Sequence, residues 1–199
     1  MTLEQFKTIW CKAQEAINAG EKHFSELDAA TGGDGDHGTA IVAALKAIVH
    51  AQGDDFKQYI EDMAEKLETE ASGSTSSLYG AWCEGMANAV DAGKTELNAD
   101  ELAAMFEGGF EEVCAITRAR KGDKTMMDAL QPATEALIAA KAQGEQAMFA
   151  AAAAAAKAGS EATAQMQAKF GRAKNLGERS IGAIDAGSAS MAVIFSAFA

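Results

Sequence analysis

The stretch Gly32-Gly33-Asp34-Gly35-Asp36-His37-Gly38-Thr39, with Asp28 just ahead of it, is where glycines, carboxylates and a histidine crowd together. Asp34 and Asp36 flank Gly35, so an extended or turned backbone aims two carboxylates at one point, and Asp28 can return from the end of the preceding helix. Three carboxylates with no cysteine and one histidine suit a hard, oxygen-preferring cation, Mg²⁺ above all. Mg²⁺ held by few carboxylates normally shares its shell with substrate phosphates. An EF-hand is excluded, because the twelfth position from Asp34 is Leu45 and not Glu. Taken alone, Asp-Gly-Asp is more often a solvated turn.

Other stretches offer the anion-binding half of such a site. His37-Gly38-Thr39 opens a helix, where free N–H groups and the helix dipole attract phosphate oxygens; Thr39 reads equally as an N-cap. Ser72-Gly73-Ser74-Thr75-Ser76-Ser77 forms a second candidate anion nest, or an ordinary flexible loop. Arg118, Arg120, Lys121 and Lys124 share one loop of this acidic protein, and Arg172 and Arg179 share another. Basic loops facing an acidic one clamp phosphates well. Any one such residue is more often solvated charge, and Arg172, directly after a glycine, is the strongest candidate. His23 and His50 have no partners in sequence, and Met126 and Met127 have the character of core residues.

The elements that must position these residues are helices. The chain has 199 residues, one proline (Pro132), few aromatics and much alanine, a composition that favours an all-α domain spanning 1–199. Apolar residues recur at helical spacing over 4–19, 39–51, 55–71, 78–92, 99–117, 125–142, 145–169 and 188–198, with a short piece at 21–28. Gly20 reads as a helix stop, Asp54 or Asp55 and Asn98 as caps. About eight helices with short connections make an up-and-down antiparallel bundle or barrel. The unusual breaks at 28–39, 72–77, 117–126 and 171–187 alternate along the chain, so all four fall at one rim.

A formal charge of -12 argues against nucleic acid and against an anionic membrane surface as partners. Cys11, Cys83 and Cys114 are isolated, so neither a disulfide framework nor a thiolate metal site is implied. No signal peptide or spanning segment is visible, and the expected compartment is the cytoplasm.

Together the loops resemble the nucleotide-binding L subunit of dihydroxyacetone kinases. Leu27-Asp28 with Gly33-Asp34-Gly35-Asp36-His37-Gly38-Thr39 is similar to that family's metal loop. Gly122 through Leu130 with Pro132 resembles a second signature, and Gly171-Arg172-Ala173, Leu176 to Gly182 and Asp185-Ala186-Gly187 a third; Leu78-Tyr79-Gly80 is a fourth. They follow family order across nearly the whole chain. Three departures stand out. One extra residue separates Asp28 from Asp34, with both Gly32 and Gly33 present. Ser72, Thr75, Ser76 and Ser77 stand where the family has Gly, Ser, Gly and Pro, which would strain Ser76 if its φ were positive. Ala186 replaces a proline.

The resemblance implies an eight-helix barrel holding ADP or ATP and two Mg²⁺ at one end. Metal ligands fall on Asp28, Asp34 and Asp36, and nucleotide contacts on His37, Gly38, Thr39, Ala40, Ser74, Thr75, Thr117, Met126, Arg172, Asp185, Ala186 and Gly187. It implies a K-type subunit that carries dihydroxyacetone or another short ketose. The phosphoryl donor is either ATP or a phosphohistidine protein (an M subunit) of the phosphotransferase system, with ADP as bound cofactor. Some relatives hold a lipid inside the barrel, and a homodimer is compatible with it. A non-catalytic helical module that carries lipid or docks a regulator is the alternative from another class.

Overall fold

The computed structural model describes residues 1–199 and contains eight α-helices: α1 (Leu3–Ala30), α2 (His37–Val49), α3 (Phe56–Glu70), α4 (Gly73–Asn88), α5 (Ala99–Ile116), α6 (Met127–Ala140), α7 (Glu145–Ala162) and α8 (Ala186–Phe198). Short 3-10 segments follow α6 and α7, and a longer one covers Arg172–Ser180. Each helix packs on the next in sequence, and α8 returns against α1, so the ring closes as a barrel. The expected all-α antiparallel architecture is what the chain adopts.

Local chemistry explains the boundaries. Thr2 and Gln5 form a capping box at α1, and Asn98 with Glu101 forms another at α5. Of the two aspartates considered for α3, Asp55 is the cap, accepting from the Gln58 N–H at 2.9 Å. Gly20 does not stop a helix. It lies inside α1, where its missing side chain makes room for the Phe24 ring; a Cβ there would sit 2.7 Å from Cε2. Ser72–Ser77 is not a loop either, since α4 begins at Gly73. Gly73 takes the left-handed conformation (φ 84°) and Ser76 stays right-handed, so its hydroxyl caps the previous helix by donating to the Leu67 carbonyl. The strain expected at Ser76 does not arise. Helix α7 ends at Ala162, short of 169, and 171–187 is largely 3-10 helix and not open loop.

The interior is filled by rings. Phe6, Trp10, Trp82, Phe106, Phe149, Phe195 and Phe198, from five helices, meet with centroid separations of 5.1–6.0 Å. Such aromatic contacts add roughly 0.5–1.5 kcal/mol per pair beyond burial. They stiffen the middle of the barrel, and the rim loops stand on that base.

Candidate functional site

All four singled-out segments line one cavity of about 320 Å³ at the rim. Its walls come from the end of α1 and the following loop (Asp28, Thr31, Gly33, Asp34, Asp36), the start of α2 (His37, Ala40), the start of α4 (Ser72–Thr75), Lys124 and Thr125, Phe170–Ala173, and Asp185–Gly187. Three helices therefore aim their N-termini at one space. Each N-terminus carries unsatisfied N–H groups and about half a positive charge, a natural place for anions.

The acidic side is built by α1. Carboxylate oxygens of Asp28, Asp34 and Asp36 all lie within 4.8 Å of one another, a spacing at which one cation can touch all three. The extra glycine does not displace Asp28. Helix α1 runs two residues beyond it, and the chain then curls back: the Gly32 N–H donates to Ala29 and the Gly33 N–H to the Asp28 carbonyl. Gly32 absorbs the added residue in a left-handed turn (φ 85°) packed on Leu176, and Gly33 lies directly over the Asp28 carboxylate. That carboxylate accepts from the Gly35 N–H at 2.8 Å, which closes the loop.

Asp36 occupies the N-cap position of α2, yet its side chain makes no capping bond. Helix α2 starts two residues earlier than its apolar pattern predicts, and its first N–H groups take no bond from the Asp36 carboxylate. The Arg172 guanidinium pairs with Asp34 and holds its carboxyl below the ordinary range. Partial desolvation pushes Asp36 up, and the hydrogen bond and charge of Asp34 add to the shift. The His37 ring accepts or donates at Ser190 Oγ (3.0 Å), and burial keeps its pKa below the usual histidine value. Asp185 caps α8, accepting from the Ser188 N–H at 2.7 Å, and its burial raises its pKa to about 7.

Not every candidate converges here. Gly38 is buried against α1, where a Cβ would strike the Glu21 carbonyl at 2.0 Å; its missing side chain brings α1 and α2 together. The Thr39 hydroxyl turns outward to Glu21 (3.2 Å). Met126 lines a smaller adjoining pocket of about 140 Å³ with Leu78 and Tyr79, sharing His37, Ser74, Thr75, Thr125, Asp185 and Gly187 with the main cavity. Thr117 ends α5 outside both; its carbonyl accepts from Arg120, whose guanidinium is spent on carbonyls of its own loop and of the last turn of α5. Thr31, Thr125, Phe170 and the buried Lys124 line the cavity without having been singled out as contacts. Lys124 and Thr125 carried a signal, their place in the Gly122–Leu130 signature, and Lys124 also its place in the basic loop.

The DAK2 domain family matches residues 31–199, and the chain belongs to it. It is 37% identical over 167 residues to the PEP-dependent dihydroxyacetone kinase 2, ADP-binding subunit DhaL, of Listeria innocua, covering 79% of this chain and 76% of that one. The corresponding ADP-binding subunit of Escherichia coli is 33% identical, covering 80% and 78%. The D-erythrulose kinase of Mycolicibacterium smegmatis is 34% identical over 90% of this chain, which spans only 32% of that longer one. The crystal structure of the dihydroxyacetone kinase of C. freundii superposes with a TM-score of 0.75 at 25% identity, covering 99% of this chain and 34% of the other.

Proposed function

We propose that the protein is the nucleotide-binding, Mg²⁺-dependent subunit of a short-ketose kinase, acting with a K-type partner that holds the ketose. The observation that carries this is the meeting of three carboxylates and three helix N-termini on one cavity. The former suit a hard cation and the latter a polyphosphate. The L-subunit relatives are named for binding ADP, which fits that pairing.

In this reading Asp28, Asp34 and Asp36 hold two Mg²⁺, which supply charge neutralisation to the phosphates. The start of α2, the Ser74 and Thr75 amides and Gly187 cradle the phosphates. Met126 and Leu78 flank the base in the adjoining pocket. Arg172 leaves Asp34 for a phosphate oxygen, adding a charge-assisted donor where negative charge moves during in-line transfer. The acceptor in this reading arrives on the partner. ADP retained as a cofactor fits the relatives named as ADP-binding subunits of PEP-dependent kinases, and ATP consumed directly is the other form.

Titration calorimetry with Mg·ADP tests the site. Asp34→Ala and Asp36→Ala should each weaken binding by roughly tenfold to a hundredfold. Unchanged affinity in both would remove the metal assignment. Mass spectrometry of nucleotide released from the denatured protein separates the two donors, since tightly held ADP supports the cofactor form.

A further inference from the structure

Lys124 is the one non-glycine residue with positive φ (60°), and its side chain is almost fully buried, at 1% exposure. A long, charged side chain adopts such a backbone and such burial only where the surroundings demand it. Its ammonium donates to the Thr163 carbonyl (2.6 Å) and the Ala183 carbonyl (2.5 Å). Thr163 lies just past α7, and its hydroxyl accepts from the Asp185 N–H at 2.9 Å. One ammonium therefore ties the 122–125 loop to the end of α7 and to the segment that delivers Asp185 and the start of α8.

The loop is shaped to send Lys124 inward. The Asp128 carboxylate accepts from the Gly122 N–H (2.6 Å) and the Thr125 N–H (2.8 Å), closing the backbone around the lysine. We propose that Lys124 is a positioning residue of the phosphoryl-transfer site, an interior cation that fixes the N-terminus of α8 against the cavity and balances the Asp185 carboxylate in its wall. This rests on the nucleotide-binding reading above.

The charges acting on Asp185 are Asp128 at the start of α6, Asp28 from α1 and Lys124 itself, while His37 at the start of α2 lines the same cavity with its pKa held down by burial. The carboxylates oppose ionisation of Asp185, and Lys124 is the cation that favours it. Without the ammonium, Asp185 would stay protonated to higher pH and Ala183 would lose its tether. The start of α8 would then be held less firmly at the phosphates.

The Ser188 amide, bonded to Asp185 Oδ2, reports the ionisation of Asp185 by NMR without any ligand. In Lys124→Met, which keeps the length and removes the charge, the midpoint of the Ser188 titration should rise. Mg·ADP affinity at pH 7.5 should fall about tenfold or more. An unmoved Ser188 midpoint, or affinity within twofold of the parent, overturns the proposal. If the parent protein itself binds no Mg·ADP, the functional reading fails, while the Ser188 titration still decides whether Lys124 sets the charge of Asp185. Should Lys124→Met not fold, the double variant with Asp185→Asn decides. Recovery of a folded protein supports the charge balance, and failure to recover assigns Lys124 to the scaffold alone and overturns the proposal.

Discussion

Replacing Gly33 by alanine isolates the Asp28 carboxylate from everything else in the site. The φ of Gly33 is not in the left-handed region, so alanine fits its backbone without strain. The added Cβ, however, would stand 2.0 Å from Asp28 Oδ1 and 2.4 Å from Oδ2. Restoring an ordinary contact of 3.4 Å from 2.0 Å demands a displacement of about 1.4 Å. The Gly35 N–H bond to the same carboxylate would break with it. A misplacement near 1 Å at a site of this kind costs on the order of a hundredfold in function. Gly33→Ala should therefore keep its melting temperature within a few degrees yet lose about tenfold to a hundredfold in Mg·ADP affinity by calorimetry. In an Asp28→Asn background the same substitution should add little. Parental affinity in Gly33→Ala would refute the reasoning, because it would mean the carboxylate beneath is no ligand. Gly32→Ala is the opposite control: with φ 85° and a Cβ 2.6 Å from Leu176 Cδ1, it should destabilise by roughly 1–2 kcal/mol.

Other outcomes follow from the charges. Arg172→Gln removes the guanidinium that competes for Asp34, so Mg²⁺ alone should bind more tightly while Mg·ADP binds more weakly; both falling together would contradict a dual role for Arg172. Asp185 has a folded pKa of about 7 against an ordinary value of 3.8, so the folded state favours the protonated acid. Its contribution to stability is full below about pH 4 and is lost as pH rises through 7, by at most about 4 kcal/mol. Asp185→Asn, which can still cap α8, should flatten that dependence in chemical denaturation and be the more stable protein at pH 8; an unchanged pH profile would contradict the burial argument.

Much of the barrel is legible in the residues. The apolar spacing of α3, α5 and α8 and the cap at Asn98 each follow from local rules, and alternation of the polar breaks places the cavity at one rim. What fails does so where a tertiary contact overrides a local preference. Gly20 resembles a terminator because nothing in sequence shows that Phe24 needs its space. Ser72–Ser77 has the composition of a loop, but a single left-handed glycine starts the helix and the hydroxyls turn back to carbonyls. Lys124 resembles its solvated neighbours, because burial of a lysine depends on carbonyls 39 and 59 residues away. The fit of Gly33 over Asp28 is likewise a matter of ångströms, invisible to spacing.

The closure of α8 on α1 has a consequence for how such barrels are joined to other domains. Helix α1 runs toward the cavity and α8 runs away from it, so Met1 and Ala199 both lie at the end of the barrel opposite the cavity, Ala199 one length of α8 below it. For the 13 residues of α8 that distance is about 20 Å. A ketose-carrying domain fused at either end would start on the wrong side of the molecule. To serve its own barrel it would need a tether of at least about six extended residues running up the outer wall. A shorter joint would let such a domain reach only the barrel of a neighbouring chain.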